Sequence, residues 1–365
     1  MTQDPGLASW LQLTLTPGLG AAAIRGMLRQ FGLPHLVLSR KPSELAAHAA
    51  PSVLDALHSE TVRRSVAAAL AWLEHPGNAL VTLADATYPR LLLEIADPPP
   101  VLYARGRLEL LQRSCLAVVG SRNATAQGAA NAESFAKALS GAGLTIVSGL
   151  ALGIDAAAHR GGLAGPGSTI AVLGTGIDVA YPRSNAALAG EIAERGLLIS
   201  EFPLGTGALA TNFPRRNRLI SGLAQGCLVV EAALASGSLI TARSAAEQGR
   251  EVFAIPGSIH SPVSKGCHQL IKSGAKLVES AEDVLGELGG FRASGFASTV
   301  QPGTAESSGL LQHMGHDPVD VDALCVRAGM SAEQVSSELL RLELAGRVAA
   351  LPGGLFQRLE KRDDR

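Results

Sequence analysis

The sequence predicts a doubly wound α/β domain with a parallel sheet, between a small helical N-terminal domain and a C-terminal winged-helix domain. Six apolar runs of about four residues alternate with alanine-rich helical stretches, and most of the 41 glycines lie in this region. Strands that are apolar without polar alternation are typical of a parallel sheet covered on both faces. Their alternation with helices indicates double winding. The runs are 116–119, 144–147, 170–173, 197–199, 227–230 and 252–255.

Residues 1–75 predict a helical domain of the helix-hairpin-helix or SAM-like kind. Pro34, Pro42 and Pro51 divide it into short helices. The turn Pro17-Gly18-Leu19-Gly20 either presents backbone N–H groups to a phosphate or simply joins two helices. We expect the α/β domain to span 79–290, with strand-like segments at 79–83 and 101–103.

The C-terminal part predicts a flexible linker over 291–308, because it is rich in Gly, Ser, Ala and Thr. Residues 309–365 then follow a helix, turn, helix and hairpin pattern. Ser331 is the expected N-cap of the second helix, and Val335, Leu339, Leu340, Leu342 and Leu344 its apolar face. The winged helix carries few basic residues, so we expect protein contact or an ancillary DNA role from it.

Composition excludes several classes of protein. The formal net charge is only -1 and aromatic residues make up 4%, so nucleic acid would have to bind at a local patch. Cys115, Cys227, Cys267 and Cys325 have no zinc-like spacing and fit a reducing cytoplasm. We expect no signal peptide, membrane span, metal or cofactor.

The run 213–222 concentrates positive charge. It places Arg215, Arg216 and Arg218 within four positions of a nearly neutral protein. Guanidinium groups match phosphate geometry and stay charged at physiological pH. The run therefore predicts one wall of a pocket for a phosphate-bearing ligand.

Glycine-rich turns follow four consecutive strands, where α/β folds bind ligands. Each turn alone is also compatible with capping or close packing. Together with Arg122 and Arg183 they favour a phosphate pocket. We expect Glu231 to pair with the arginine run. The supporting residues of these loops are Gly149, Gly153, Asp155, Gly174, Gly176, Glu231, Ser236, Gly237 and Ser238.

Asp155 and His159 lie four residues apart and would share a helix face. They could form a catalytic dyad or hold the preceding loop. Since no nucleophile stands at a recognisable spacing, we favour the structural role. The dinucleotide motif GxGxxG and the Walker motif are absent from the sequence, which argues against NAD and against an ATPase.

These motifs resemble the DNA-processing protein A (DprA, also called Smf) family. The matching segments are Val119-Gly120-Ser121-Arg122, Ser148-Gly149-Leu150-Ala151-Leu152-Gly153-Ile154-Asp155, Gly174-Thr175-Gly176 with Tyr181-Pro182, Ser200-Glu201-Phe202-Pro203, Phe213-Pro214-Arg215-Arg216-Asn217-Arg218 and Ser236-Gly237-Ser238. The match covers about 80–290. One departure is His268, where the family usually has Asn.

The resemblance implies an extended Rossmann-like domain that binds single-stranded DNA and is not an enzyme. It implies a cytoplasmic homodimer that loads the RecA recombinase during natural transformation, with single-strand-binding protein as a further partner. The DNA-binding residues carried over by motif are Gly120, Ser121, Arg122, Arg183, Arg215, Arg216, Asn217 and Arg218. The alternative is a phosphoribohydrolase-like enzyme that acts on nucleotides in the same pocket with Glu231, although Pro-Gly-Gly-x-Gly-Thr is missing.

Overall fold

The N-terminal part of the computed structural model is a set of six helices. The structure describes residues 5–289, 309–315 and 318–359, so the predicted linker lies outside the described residues. Pro34, Pro42 and Pro51 each begin a helix, where a missing N–H costs nothing. Leu11 and Ala69 of these helices join a buried cluster with Tyr103 and Ala171 of the sheet. The helices are α1 (Pro5–Thr14), α2 (Ala21–Phe31), α3 (Pro34–Leu38), α4 (Pro42–Leu45), α5 (Pro51–Ala56) and α6 (Glu60–Leu73).

A sheet of nine strands forms the central domain, in the order β1-β2-β6-β5-β4-β3-β7-β8-β9. The predicted runs become strands β3 to β8, all parallel. The strands are β1 (Asn78–Thr82), β2 (Val101–Gly106), β3 (Cys115–Val119), β4 (Thr145–Ser148), β5 (Thr169–Val172), β6 (Leu197–Ser200), β7 (Gly226–Val229), β8 (Glu251–Ala254) and β9 (Lys276–Leu277). The doubly wound parallel fold is confirmed.

The strand-like segments at 79–83 and 101–103 join this sheet as antiparallel strands, a pairing that the sequence pattern did not predict. β2 pairs antiparallel with β6, with Tyr103 opposite Ser200, and β1 pairs antiparallel with β2. The sheet therefore extends past its parallel part at this edge.

Helices cover both faces of the sheet. They are α7 (Arg90–Leu93), α8 (Ala126–Gly141), α9 (Ile154–Leu163), α10 (Ala186–Arg195), α11 (Asn212–Leu223), α12 (Ser238–Glu247), α13 (Lys265–Lys272) and α14 (Ala281–Leu288), with short 3₁₀ segments at Leu108–Gln112, Arg183–Asn185 and Pro262–Ser264. Successive residues of β3 enter opposite cores: Ala117 packs with α11 and α12, and Leu116 and Val118 pack with α8, α9 and α14. Burial on both faces explains the lack of polar alternation in the strands.

The C-terminal residues form the predicted winged helix. Ser331 caps the helix that follows it, accepting from Gln334 N at 3.3 Å, as expected. The apolar face was partly wrong, because Leu340 and Leu344 are 57% and 83% exposed. The elements are α15 (Gly309–Met314), β10 (Val319–Asp320), α16 (Val321–Ala328), α17 (Ala332–Leu344), β11 (Val348–Leu351) and β12 (Leu355–Arg358), with strand order β10-β12-β11. Across the described ranges, every helix is too short or too polar to span a bilayer.

Candidate nucleic-acid interface

A cavity opens at the carboxyl ends of β3, β4 and β5, and we call it the strand-end cavity. Loops from three strands and the first turns of α11 surround it. Its lining residues are Arg122, Gly149, Ala151, Leu152, Gly174, Thr175, Tyr181, Pro182, Phe213 and Arg216. Two of the predicted arginines thus meet here, with one predicted glycine from the loop after β4, one from the loop after β5, and two aromatic rings.

Arg122 lies at the mouth of the strand-end cavity. Its side chain is exposed, and its guanidinium carbon lies 5.6 Å from the centre of the Phe213 ring, within cation–π range. Among the described residues it makes no hydrogen bond or ion pair. Arg122 is therefore a cation that keeps its charge available to a ligand.

Arg216 forms the floor of the cavity and is only 4% exposed. It donates from Nη1 to the Gly149 carbonyl at 2.7 Å and also to the Val172 carbonyl. Burial lowers the pKa of Arg216 to about 10, and the nearby Asp155 carboxylate opposes that shift. Arg216 is thus charged at neutral pH and ties together the ends of β4 and β5.

Arg215 and Arg218 turn away from the strand-end cavity. Arg215 donates to Glu201 Oε2 at 3.0 Å and Arg218 donates to the same oxygen at 2.8 Å. Residues three apart on a helix share a face, and Arg216 lies about 100° away from Arg215. The prediction that the three arginines form one wall of the pocket is wrong. Asn217 is also outside the lining, with its amide 3.4 Å from the Gly237 carbonyl.

Asp155 holds the loop after β4, residues 149–152, which we call the β4–α9 loop. Its Oδ2 accepts from Gly149 N at 3.1 Å and from Ala151 N at 3.3 Å. Burial raises the pKa of Asp155, and the Arg216 charge and these hydrogen bonds lower it. The carboxylate therefore fixes two backbone groups of the cavity rather than facing a substrate.

His159 holds the same loop from below. Its Nε2 accepts from Leu150 N at 3.2 Å, and Leu150 has a φ of 58°, a conformation that costs energy for a residue with a side chain. Nδ1 consequently carries the proton and bonds to Thr169 Oγ1 at 2.7 Å. Burial lowers the pKa of His159 to about 3, so the ring is neutral. The structural role favoured for Asp155 and His159 is supported, because backbone groups of the loop occupy both.

Asn185 completes this support, a role that its sequence position did not predict. Asn185 stands at the start of α10 without a side-chain capping bond, and its amide instead donates to the carbonyls of Leu150 and Ala151 at 3.0 and 3.1 Å. Arg183, two positions earlier, is exposed. The only signal for Asn185 was its place soon after Tyr181-Pro182, a segment that lines the cavity.

The glycines of the predicted phosphate loops are mostly required by packing. A Cβ on Gly120 would lie 2.6 Å from Ile154 Cγ1, and one on Gly174 would lie 2.7 Å from the Phe213 ring. A Cβ on Gly176 would lie 2.6 Å from the Pro203 carbonyl oxygen. Gly153 has a φ of 71° and would place a Cβ 2.3 Å from the Ser121 carbonyl oxygen. These glycines let the loops close around the cavity.

Glu231 does not pair with the arginine run, so that prediction is wrong. Its carboxylate accepts from Thr125 N at 2.9 Å and from Thr125 Oγ1 at 2.5 Å, at the N-terminus of α8. Burial raises the pKa of Glu231. The carboxylate fills the helix N-terminus where an anion would otherwise bind. Beyond it, Ser236 and Ser238 bond to each other at 2.7 Å.

Two aromatic residues also face the cavity. Tyr181 is 44% exposed, and its ring centre lies 5.5 Å from that of Phe213. The low aromatic content gave no reason to expect exposed rings at the site. Their pairing is created by the fold, which brings the 181–182 segment against the start of α11.

Comparisons with known proteins agree with this architecture. The model of the family DNA recombination-mediator protein A matches residues 79–289, and the DprA winged helix domain matches 296–354. Protein Smf of Escherichia coli is 46% identical over 307 residues, 80% of each chain. DNA processing protein DprA of Streptococcus pneumoniae is 50% identical over 206 residues, 56% of this chain and 73% of that one.

Two solved structures are similar to this one. The X-ray structure of DprA from Streptococcus pneumoniae has a TM-score of 0.68 at 40% identity, covering 80% of this chain and 99% of that one. A Helicobacter pylori DprA structure, described for the single-stranded DNA binding mode of that protein, has a TM-score of 0.53 at 30% identity, covering 57% and 95%. The chain therefore belongs to the DNA recombination-mediator protein A family, the DprA/Smf proteins.

Proposed function

We propose that the chain binds single-stranded DNA in the strand-end cavity and acts as a DNA recombination mediator. The observation that carries the proposal is Arg122, an exposed cation stacked on the Phe213 ring at the cavity mouth. Arg216 adds a second positive charge in the floor. Acidic residues are absent from the described lining. The buried Asp155 carboxylate lies near Arg216, so the exposed and unpaired charge of Arg122 supplies most of the attraction for phosphate in a chain that is nearly neutral.

The two rings give a reason for preferring single strands. Exposed Tyr181 and half-buried Phe213 form an aromatic surface beside the two arginines. Bases stack on such rings without regard to sequence, and only an unpaired base can reach them. We propose that Arg183, which is exposed and follows directly after Tyr181-Pro182, contacts the backbone of the same strand.

Fluorescence anisotropy with a labelled single strand and a duplex of equal length tests this proposal. We expect the single strand to bind more tightly at every salt concentration, with an affinity that falls steeply as salt rises. Equal affinity for the two forms, or binding that salt does not change, would contradict it.

We propose further that the chain loads RecA onto single strands covered by single-strand-binding protein, in the cytoplasm. Membership in the recombination-mediator family supports this step. The test is RecA-dependent strand exchange on coated DNA. Adding the chain should shorten the lag, and an unchanged lag would count against the proposal.

A homodimer would use the sheet edge formed by β9. Leu277 on this two-residue strand is 50% exposed, and edge strands left open tend to pair. Light scattering of the purified protein should give twice the chain mass, and Leu277→Arg should give a monomer. A monomeric wild-type protein would rule out this arrangement.

We propose that the chain is a binding protein and not an enzyme. Glu231, the residue that the phosphoribohydrolase-like alternative would use, is bound to Thr125 as a helix cap. Release of base from nucleoside monophosphates, lost in Glu231→Gln, would restore the enzymatic alternative.

A further inference from the structure

An ion-pair network lies behind α11, on the side away from the strand-end cavity. Glu201, at the end of β6, has a side chain only 3% exposed. Its Oε2 accepts from Arg215 at 3.0 Å and from Arg218 at 2.8 Å. Two successive turns of one helix are thus bound to one buried carboxylate oxygen.

The network continues into the N-terminal helices. Arg218 also contacts Asp97 Oδ2 at 3.2 Å, and Arg25 of α2 contacts Asp97 Oδ1 at 2.6 Å. Arg25 donates in addition to the Pro98 carbonyl at 2.9 Å. Helix α11 is therefore bound to the residue after β6 and to Asp97 in the segment between α7 and β2, and through Asp97 it is linked to α2.

Other faces of α11 carry the cavity groups. Phe213 supports Arg122 at 5.6 Å, and Arg216 bonds to the Gly149 carbonyl at 2.7 Å. On a helix a rotation about the axis moves both faces together. Whatever fixes Arg215 and Arg218 consequently fixes where Phe213 stands beneath Arg122.

We propose that Glu201 is a positioning residue for DNA binding: it sets the rotation of α11 and so holds Phe213 beneath Arg122, without touching DNA. The proposal rests on the proposed binding of single-stranded DNA at the cavity. Buried ion pairs add little net stability, because desolvation offsets their attraction. A carboxylate near a DNA site would also weaken DNA binding. A role in geometry therefore explains Glu201 better than a role in stability.

The sign of one substitution separates geometry from charge. Glu201→Gln removes a negative charge beside two arginines, so an electrostatic effect alone would tighten DNA binding and steepen its salt dependence. A positioning effect weakens binding instead, by about 2- to 30-fold. Glu191→Gln, on α10, removes a similar charge that is paired with Arg195 on the protein surface and should change affinity less than about 2-fold.

The experiment is a double-mutant cycle on the full-length chain, with anisotropy of a labelled oligothymidylate as the readout. We expect Glu201→Gln to weaken binding in the wild-type background and to have little further effect in Arg122→Ala, because both act on the same contact. Stoichiometric titration gives the active fraction, so partial unfolding changes the endpoint and leaves the fitted affinity unaltered.

Unchanged or tighter binding by Glu201→Gln overturns the inference, and so does a loss that adds fully to that of Arg122→Ala. If Glu201→Gln does not fold, Asp97→Asn is measured by the same cycle with the same criteria, since Asp97 is 42% exposed at the outer end of the network. Failure of the wild-type chain to bind the oligonucleotide would instead refute the proposed function itself.

Discussion

Replacing Arg216 by Met tests the floor of the strand-end cavity. Methionine keeps an unbranched side chain but is shorter, and it loses the charge and the donors to the Gly149 and Val172 carbonyls. It also leaves the buried Asp155 carboxylate without its neighbouring cation. Removing one partner of buried charges costs about 3–5 kcal/mol. For a domain of this size that corresponds to a fall in melting temperature of roughly 6–20 °C.

Thermal denaturation followed by circular dichroism measures the change. Arg160→Met is the matched control, because Arg160 is 51% exposed and its ion pair with Glu133 is long, at 3.7 Å. We expect the free energy of unfolding to change by less than about 0.5 kcal/mol. Adding Asp155→Asn to Arg216→Met should restore part of the stability, since neither charge is then left alone. A melting temperature of Arg216→Met equal to that of wild type would refute the reasoning.

Two further substitutions test the support of the β4–α9 loop. Gly149→Ala places a methyl group 2.2 Å from Arg216 Nη1, so it should destabilise the domain and weaken DNA binding. Its control is Gly190→Ala in α10, which has open space around it and should stabilise the protein by about 0.5–1 kcal/mol. Equal melting temperatures of the two variants would contradict this expectation. His159→Gln should make the free energy of unfolding less dependent on pH below 6.5. The folded pKa of about 3 lies below the ordinary 6.5, so the His159 contribution is complete above pH 6.5 and falls by about 1.4 kcal/mol per pH unit on acidification towards 3. Urea denaturation between pH 4 and 7 gives the free energy of unfolding of wild type and of His159→Gln. Asp155 has the opposite pH dependence, but it is present in both proteins and largely cancels in their difference. If the free energies of the two proteins changed with pH in parallel, the assignment would be contradicted.

The strands could be predicted because burial on both faces leaves a plain sequence pattern. Residues 116–119 are apolar without alternation, and β3 indeed enters two cores. The antiparallel strands β1 and β2 could not be predicted as part of the sheet. Their pairing depends on contact between Tyr103 and Ser200, which lie far apart in sequence.

The arginine run shows why neighbours in sequence are a poor guide to a site. Helical rotation sends Arg216 into the cavity and Arg218 to Glu201. The pattern correctly indicated a concentration of charge but could not show which guanidinium groups stay available. Arg122, from a different turn, lines the cavity and, among the described residues, has no hydrogen bond or ion pair.

The partners of two carboxylates also could not be predicted from the sequence. The expected partner of Glu231 was an arginine, but Thr125, which is 106 positions away, provides two donors. Glu201, which does bind the arginines, stood in the sequence as part of Ser200-Glu201-Phe202-Pro203 without any sign of this role. Such pairings depend on which loops meet at the sheet edge, and local patterns carry no information about that.

The central claim is that Arg122 contacts a backbone phosphate of single-stranded DNA at the strand-end cavity. The most direct measurement is the salt dependence of oligothymidylate binding by wild type, Arg122→Ala and Arg160→Ala. We predict that Arg122→Ala binds more weakly and lowers the slope of log affinity against log salt by about 0.7, the value for one phosphate contact on a single strand. Arg160→Ala should match wild type. An Arg122→Ala variant with the affinity and the slope of wild type would contradict the account.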